Sequence, residues 1–270
     1  QAGANITFRD TAINPAVDPR QWIQGLLVFG RVRMLGGAKT PMRRLTADVV
    51  AGQTIVNVTP APTGWQIGDE VFFPDSRQIP YDSAFDQNYA LHHETRTIAA
   101  IASGTITLST PLTYDHLGAR NADGTVNSGF LPHVANMSRS ITIRSANPTG
   151  TRAHSAYIER ANVEIRNTVF RDMGRTTVEA VTDADNSPNQ IGRYTVHFHM
   201  LRGPVNPGNV GYQYEFTGNV VRDSLKWPVA IHNTHYGLVE DNVVIGGSQL
   251  TGAGIALETG AETENMIRGN

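Results

Sequence analysis

The sequence has no cysteine, which excludes disulfides, thiolate nucleophiles and thiolate metal ligands and leaves the cellular compartment open. It has no apolar run of transmembrane length. Charge is sparse: charged residues make up 17%, the formal net charge is −2 and no basic run occurs, so neither nucleic acid nor an anionic membrane surface is an expected partner. The chain opens at Gln1 without a basic segment leading into an apolar one, so a secretory signal is expected to have been removed or never to have been there.

Glycine is plentiful (26 residues), and asparagine recurs at turn-like positions, a composition suited to many short strands joined by tight turns and to almost no helix. GLLVFGRVRMLGG, TIVNVTPAP, GWQIGDEVFFP, HHETRTIAAIASGTITLSTPL and SRSITIRS each cluster or alternate β-formers and end in Gly, Pro, Asp or Asn. These place one β domain over residues 1–150. The irregular piece from Asp75 to Ala90 reads as a surface loop.

Beyond Ala153 the texture repeats. RNTVFRD, GNVVRDS, DNVVIGG and the closing RGN carry Asn167, Asn219, Asn242 and Asn270, at intervals of 52, 23 and 28 residues, the first about twice the others. A period in the twenties, with a small apolar triplet and an asparagine at the turn, predicts a parallel β-helix over residues 151–270. A single coil cannot bury its own inner face, so coils stack and asparagine side chains ladder at the bends. The competing architecture is a β-sandwich in which the NVV phrases coincide by chance. ENMIRGN ends where a further strand is expected to begin, as in a piece of a longer protein.

YTVHFHM sets two imidazoles two residues apart in an apolar run. Strand alternation sends Val196, Phe198 and Met200 into a core and His197 and His199 to the other face. Aligning three such strands on inward positions Val196/Phe198/Met200, Val229/Ile231 and Ile255/Leu257 brings His199, His232 and Glu258 into one outward column, about 4.8 Å apart per coil. Ala230 and Ala256 lie beside that column and leave room for a ligand. Two or three imidazoles with a carboxylate suit a borderline divalent ion: His197, His199 and His232 are the expected metal ligands, with zinc favoured over the oxygen-seeking calcium. Glu258 and His199 are candidate acid–base groups. A glycosidase normally needs two carboxylates, and the second is not assigned. His93, His116 and His133 are expected to be hydrogen-bonded or solvated, and His235 to serve its turn.

The phrases TVHFHM, VRDSLKWPVAIHNTHYGLVEDNVV and GIALETGAETENMIRGN resemble, in order and spacing, the β-helical region of the cell-surface hyaluronidase family. Upstream, LGGAKTPMRRL, GWQIGDEVFF, HHETRTI, LSTPLTYDH and ANMSRSITIRS resemble its eight-glycine domain. The resemblance implies an all-β chain: a glycine-rich domain over 1–150, then a right-handed, pectin-lyase-like parallel β-helix. It implies an extracellular or cell-surface hydrolase or lyase acting on an acidic polysaccharide such as hyaluronan. It also raises His154 to a candidate catalytic residue; His154 and Arg139 are expected at the rim of the patch. Thr195, Asn233 and Thr259 depart from the family pattern; at Thr259 an acidic residue is replaced. Two other readings stay open: a non-enzymatic adhesin or filament module that self-assembles through its coil ends, and a carbohydrate-binding protein using Tyr194, Tyr212, Tyr214 and Trp227 as stacking surfaces.

Overall fold

The computed structural model describes residues 3–14, 16–19, 21–77, 90–175, 192–203, 211–247 and 253–270. Most of the proposed Asp75–Ala90 loop lies outside them. The chain divides into two units, one formed by Gln1–Gly37 with Arg139–Asn270 and the other by Ala38–Ser138. The division differs from the expected boundary at residue 150. Three strands near the start of the chain pair with strands beyond residue 140, so the first unit is discontinuous and the second is an insertion in it.

The first coil of the first unit comprises β1 (Ala4–Phe8), β2 (Gly25–Val28) and β3 (Arg31–Leu35). The inserted unit follows, with β4 (Met42–Leu45), β5 (Ile55–Thr59), β6 (Glu70–Phe73), β7 (Glu94–Ala102), β8 (Thr105–Leu108) and β9 (His133–Asn136). These six strands close into an antiparallel barrel in the order β4-β5-β8-β7-β6-β9, which leaves no free sheet edge. Alternation fills it: in β5 Val56 and Val58 point inward, joining Leu45, Val71, Phe73, Ile98, Ile106, Leu108 and Val134. Buried Glu94 accepts the Thr113 and Tyr114 amides and faces His116 Nε2 at 2.9 Å, pinning the segment after β8.

Beyond the barrel, four further coils follow: β10 (Ile141–Ser145), β11 (His154–Ile158) and β12 (Asn162–Arg166); β13 (Thr168–Arg171), β14 (Val196–His199) and β15 (Tyr214–Thr217); β16 (Val220–Ser224), β17 (Val229–His232) and β18 (Gly237–Glu240); β19 (Val243–Gly247), β20 (Ile255–Leu257) and β21 (Asn265–Arg268). Each coil gives one strand to each of three parallel sheets, β1-β10-β13-β16-β19, β2-β11-β14-β17-β20 and β3-β12-β15-β18-β21. This is a parallel β-helix. Its core is one continuous cluster that includes Ile143, Phe170 and Val221 from the first sheet, Val196, Phe198, Val229 and Ile231 from the second, and Val163, Ile165, Tyr214, Phe216 and Val239 from the third.

The corners explain the repeat. Asn167, Gly218, Asp241 and Gly269 all have positive φ, a conformation that glycine, asparagine and aspartate tolerate best. The asparagine ladder stands one residue further on. Asn219 Oδ1 accepts the Thr168 amide, Asn242 Oδ1 the Asn219 amide and Asn270 Oδ1 the Asn242 amide, at 2.9–3.0 Å. Asn167 is therefore a corner residue, and Thr168 stands above the ladder. Because Thr168 stacks directly on Asn219, the 52-residue interval is one coil with long connections between its strands, not two coils.

One further local expectation is corrected: Met200 has φ 56° and turns the corner after β14, and Leu201 takes the core position instead. Within ENMIRGN, Asn265–Arg268 forms β21 of the third sheet.

Candidate functional site

The second sheet carries the histidines. Val196 pairs with Val229 and His199 with His232, while Val229, Ala230 and Ile231 pair with Ile255, Ala256 and Leu257. Glu258 follows immediately, its amide bonded to the Ile231 carbonyl at 2.9 Å. Val196, Phe198, Val229 and Ile231 are buried in the core, which forces the alternate residues onto the opposite face. Leu257 is 51% exposed, in the last strand of its sheet.

One ring nitrogen from each of His197, His199 and His232 lies within 4.8 Å of the others. His199 Nδ1 and His232 Nδ1 are 3.2 Å apart. Glu258 Oε2 is 3.6 Å from His232 Nδ1 and 3.9 Å from His197 Nε2. The neighbouring Ala230 and Ala256 are buried rather than forming an open floor; the patch reaches solvent through the half-buried His199 and His232.

His197 is enclosed, and its Nδ1 lies 3.0 Å from the Gly192 carbonyl. That contact puts the ring proton on Nδ1 and leaves Nε2 with a lone pair. Among the described residues neither His197 Nε2 nor Glu258 Oε2 has a hydrogen-bond partner, although both atoms are buried. Burial, followed by the neighbouring His199, holds the His197 pKa well below the usual imidazole range; burial and then His232 lower that of His199. The 3.9 Å approach to Glu258 therefore joins a neutral ring to a carboxylate and is not an ion pair.

The other carboxylate oxygen, Glu258 Oε1, accepts the Tyr194 hydroxyl at 2.6 Å. Tyr194 stacks on Trp227 with ring centroids 5.4 Å apart and meets His197 edge-on at 4.9 Å. Lys226 Nζ lies 5.4 Å from the Tyr194 ring, its pKa lowered to about 8 by burial and then by Arg193. Sugar stacking was one open reading of Tyr194. The sequence signal for its contact with Glu258 was weak, because by strand alternation Tyr194 shares parity with the core residues Val196 and Phe198. β14 begins only at Val196, so alternation does not hold at Tyr194.

His154 is fully buried on β11 opposite Gly25. Its Nε2 lies 3.3 Å from the Trp22 carbonyl, and its Nδ1 has no partner among the described residues. It is not one of the converging histidines. Arg139 donates from Nε to the Gly218 carbonyl at 2.8 Å, just before β10 in a different sheet, so it supports a corner rather than the rim of this patch. Thr259, where an acidic residue was expected, bonds Glu262 Oε1 through its amide and hydroxyl, and Glu262 Oε1 also accepts the Asn233 amide.

The fold and this patch define the chain as a β-helical protein with a histidine–carboxylate surface. Residues 153–270 match the family described as CEMIP beta-helix, a domain-level relationship covering the last four strands of the histidine-bearing sheet. Among curated proteins the chain is similar to fibrocystin-L of Mus musculus, 27% identical over 261 residues and 84% of this chain, and to fibrocystin-L of Homo sapiens, 26% identical over 272 residues and 87% of this chain. It spans 6% of the length of each. Solved structures similar to it include the Pseudomonas phage phi297 tailspike gp61, at 10% identity and TM-score 0.29 over 97% of this chain and 34% of that one. Another is the gp54 tailspike of Acinetobacter baumannii bacteriophage AP22, solved with a capsular saccharide, at 11% identity and TM-score 0.31 over 88% and 47%. No helix among the described residues is long and apolar enough to cross a membrane.

Proposed function

We propose that this chain is part of an extracellular or cell-surface protein that cleaves an acidic polysaccharide, by hydrolysis or elimination, at the His197–His199–His232–Glu258 patch. The observation that carries the reading is the convergence of three imidazoles and a carboxylate on one rigid sheet, with His197 Nε2 and Glu258 Oε2 facing each other unpartnered at 3.9 Å. Such a pair is built to hold a cation or a proton. The lowered pKa values of His197 and His199 favour the neutral ring, which suits both metal ligation and proton transfer. In this reading His199 and His232, half-buried, face the glycan, and His154, enclosed further along the sheet, is a positioning residue.

The test is incubation of the full chain with uronate-containing polymers, hyaluronan among them, followed by product sizing. Wild type should shorten the polymer, and His199→Ala and His232→Ala should each lower kcat/KM by at least about 100-fold, the scale of a lost acid–base or ligating group. Binding without shortening would favour a carbohydrate-binding module. Neither binding nor shortening, with assembly unchanged in both variants, would favour the self-assembling scaffold.

A further inference from the structure

We infer that Glu258 is the fourth ligand of a four-coordinate divalent-metal site whose other ligands are His197 Nε2, His199 Nδ1 and His232 Nδ1, and that Tyr194 orients the ligating carboxylate. This rests on the reading above in taking the same patch, and it assigns Glu258 a role other than acid–base catalysis.

The spacing carries the argument. A zinc-like ion bound at about 2.0–2.2 Å sets the corners of its ligand tetrahedron roughly 3.3–3.6 Å apart. The contacts here are 3.2 Å between the two Nδ1 atoms, 3.6 Å from His232 Nδ1 to Glu258 Oε2 and 3.9 Å from His197 Nε2 to the same oxygen. All are near tetrahedral edges and, apart from the Nδ1 pair, too long for hydrogen bonds. Two of the four ligand atoms, His197 Nε2 and Glu258 Oε2, are buried and have no hydrogen-bond partner among the described residues. A buried lone pair facing a buried carboxylate oxygen is costly unless something positive stands between them.

The surroundings of the ligands fit the same assignment. Metal-ligating imidazoles commonly donate their other N–H to a carbonyl or carboxylate, and ligating carboxylates are themselves hydrogen-bonded. His197 is anchored in this way by the Gly192 carbonyl and Glu258 by the Tyr194 hydroxyl, which Trp227 backs by stacking. Tyr194 occupies Oε1, so Oε2 is the oxygen left to face the imidazoles. Three nitrogens and one oxygen select zinc or a neighbouring transition ion over calcium or magnesium.

The full chain, stripped with a chelator, should be titrated with zinc by calorimetry and with cobalt(II), whose visible absorption reports four-coordination. One ion per chain is expected, with an intense four-coordinate cobalt spectrum. Tyr194→Phe should weaken zinc binding by roughly 10–100-fold, Glu258→Gln should weaken it further, and His93→Ala, in the barrel, should leave it unchanged. Circular dichroism of each metal-free variant separates loss of a ligand from loss of fold. Zinc bound equally by wild type and Glu258→Gln, or no zinc bound by folded wild type, overturns the assignment. Polymer shortening by a folded chain that binds no zinc would sink this inference and leave the proposed activity standing. Zinc bound as predicted by a chain that shortens no polymer would do the reverse.

Discussion

His154 shows how a single enclosed side chain ties stability to pH. Burial, then the guanidinium groups of Arg175 and Arg193, hold its pKa well below the imidazole value, against the small opposing effect of the Trp22 carbonyl; His197 acts in the same lowering direction. Above about pH 6.5 the ring is neutral in folded and unfolded chains alike. As pH falls below that value, the unfolded chain binds a proton that the folded chain refuses, so stability is lost toward the depressed folded pKa. Melting temperature should therefore fall between about pH 7.5 and pH 5, and less steeply in His154→Asn; parallel profiles for the two proteins would refute the assignment. The histidine–carboxylate patch was legible in the sequence because HxH in an apolar strand fixes a face by alternation, and alignment on Val196, Val229 and Ile255 fixed the register. The role of Tyr194 was not, since it precedes the strand and is aimed by a backbone that no local pattern specifies. His154 was singled out only through family resemblance, which made it a candidate and gave no sign of its enclosure.

At the level of the element, the coil corner sets the register that brings the patch together. Asn242 lies at the centre of the ladder: its Oδ1 accepts the Asn219 amide at 2.9 Å, and its Nδ2 donates to the Phe216 carbonyl at 2.9 Å and to Asn270 Oδ1 at 2.8 Å. Asn242→Leu keeps the branched heavy-atom skeleton, adds some bulk and strands these groups at a buried position, costing about 1–3 kcal/mol for each group left unpaired. Denaturant unfolding should show a fall in stability of that order, and a value near zero would mean that water or a shifted corner replaces the ladder. The repeating asparagines were visible in the sequence as phrases, but their phase was not. Asn167 shares the residue type of the ladder yet occupies the preceding left-handed position, where glycine and aspartate substitute for it in other coils. The 52-residue interval failed as a count of coils for a related reason, since long connections between strands add length without adding a layer.

Across the whole molecule the main discrepancy between sequence and structure is the inserted barrel. Short β-strands on both sides of Ala38 and Ser138 have the same composition, so no shift in texture marks where one unit is left and the other entered. The pairing partners of β1, β2 and β3 lie more than 100 residues away. The chain leaves and returns at one place: the Gly37 amide donates to Ser140 Oγ at 2.9 Å on the β-helix side, and the Asn136 amide donates to the Pro41 carbonyl at 2.8 Å on the barrel side. A folded barrel thus closes the long loop itself, and the first coil pairs with the second at little entropic cost. An unfolded barrel would make that pairing close a loop of about a hundred residues, roughly 2–3 kcal/mol worse than a short one. Replacing residues 38–138 with a short glycine–serine link should therefore leave the first coil protected from limited proteolysis. Phe73→Ala, which opens a cavity in the barrel core at a cost of about 3–5 kcal/mol, should expose residues 3–37 to cleavage more readily than the excision does. If the excised chain is cut first, the barrel contributes to the first coil by something other than closing its ends.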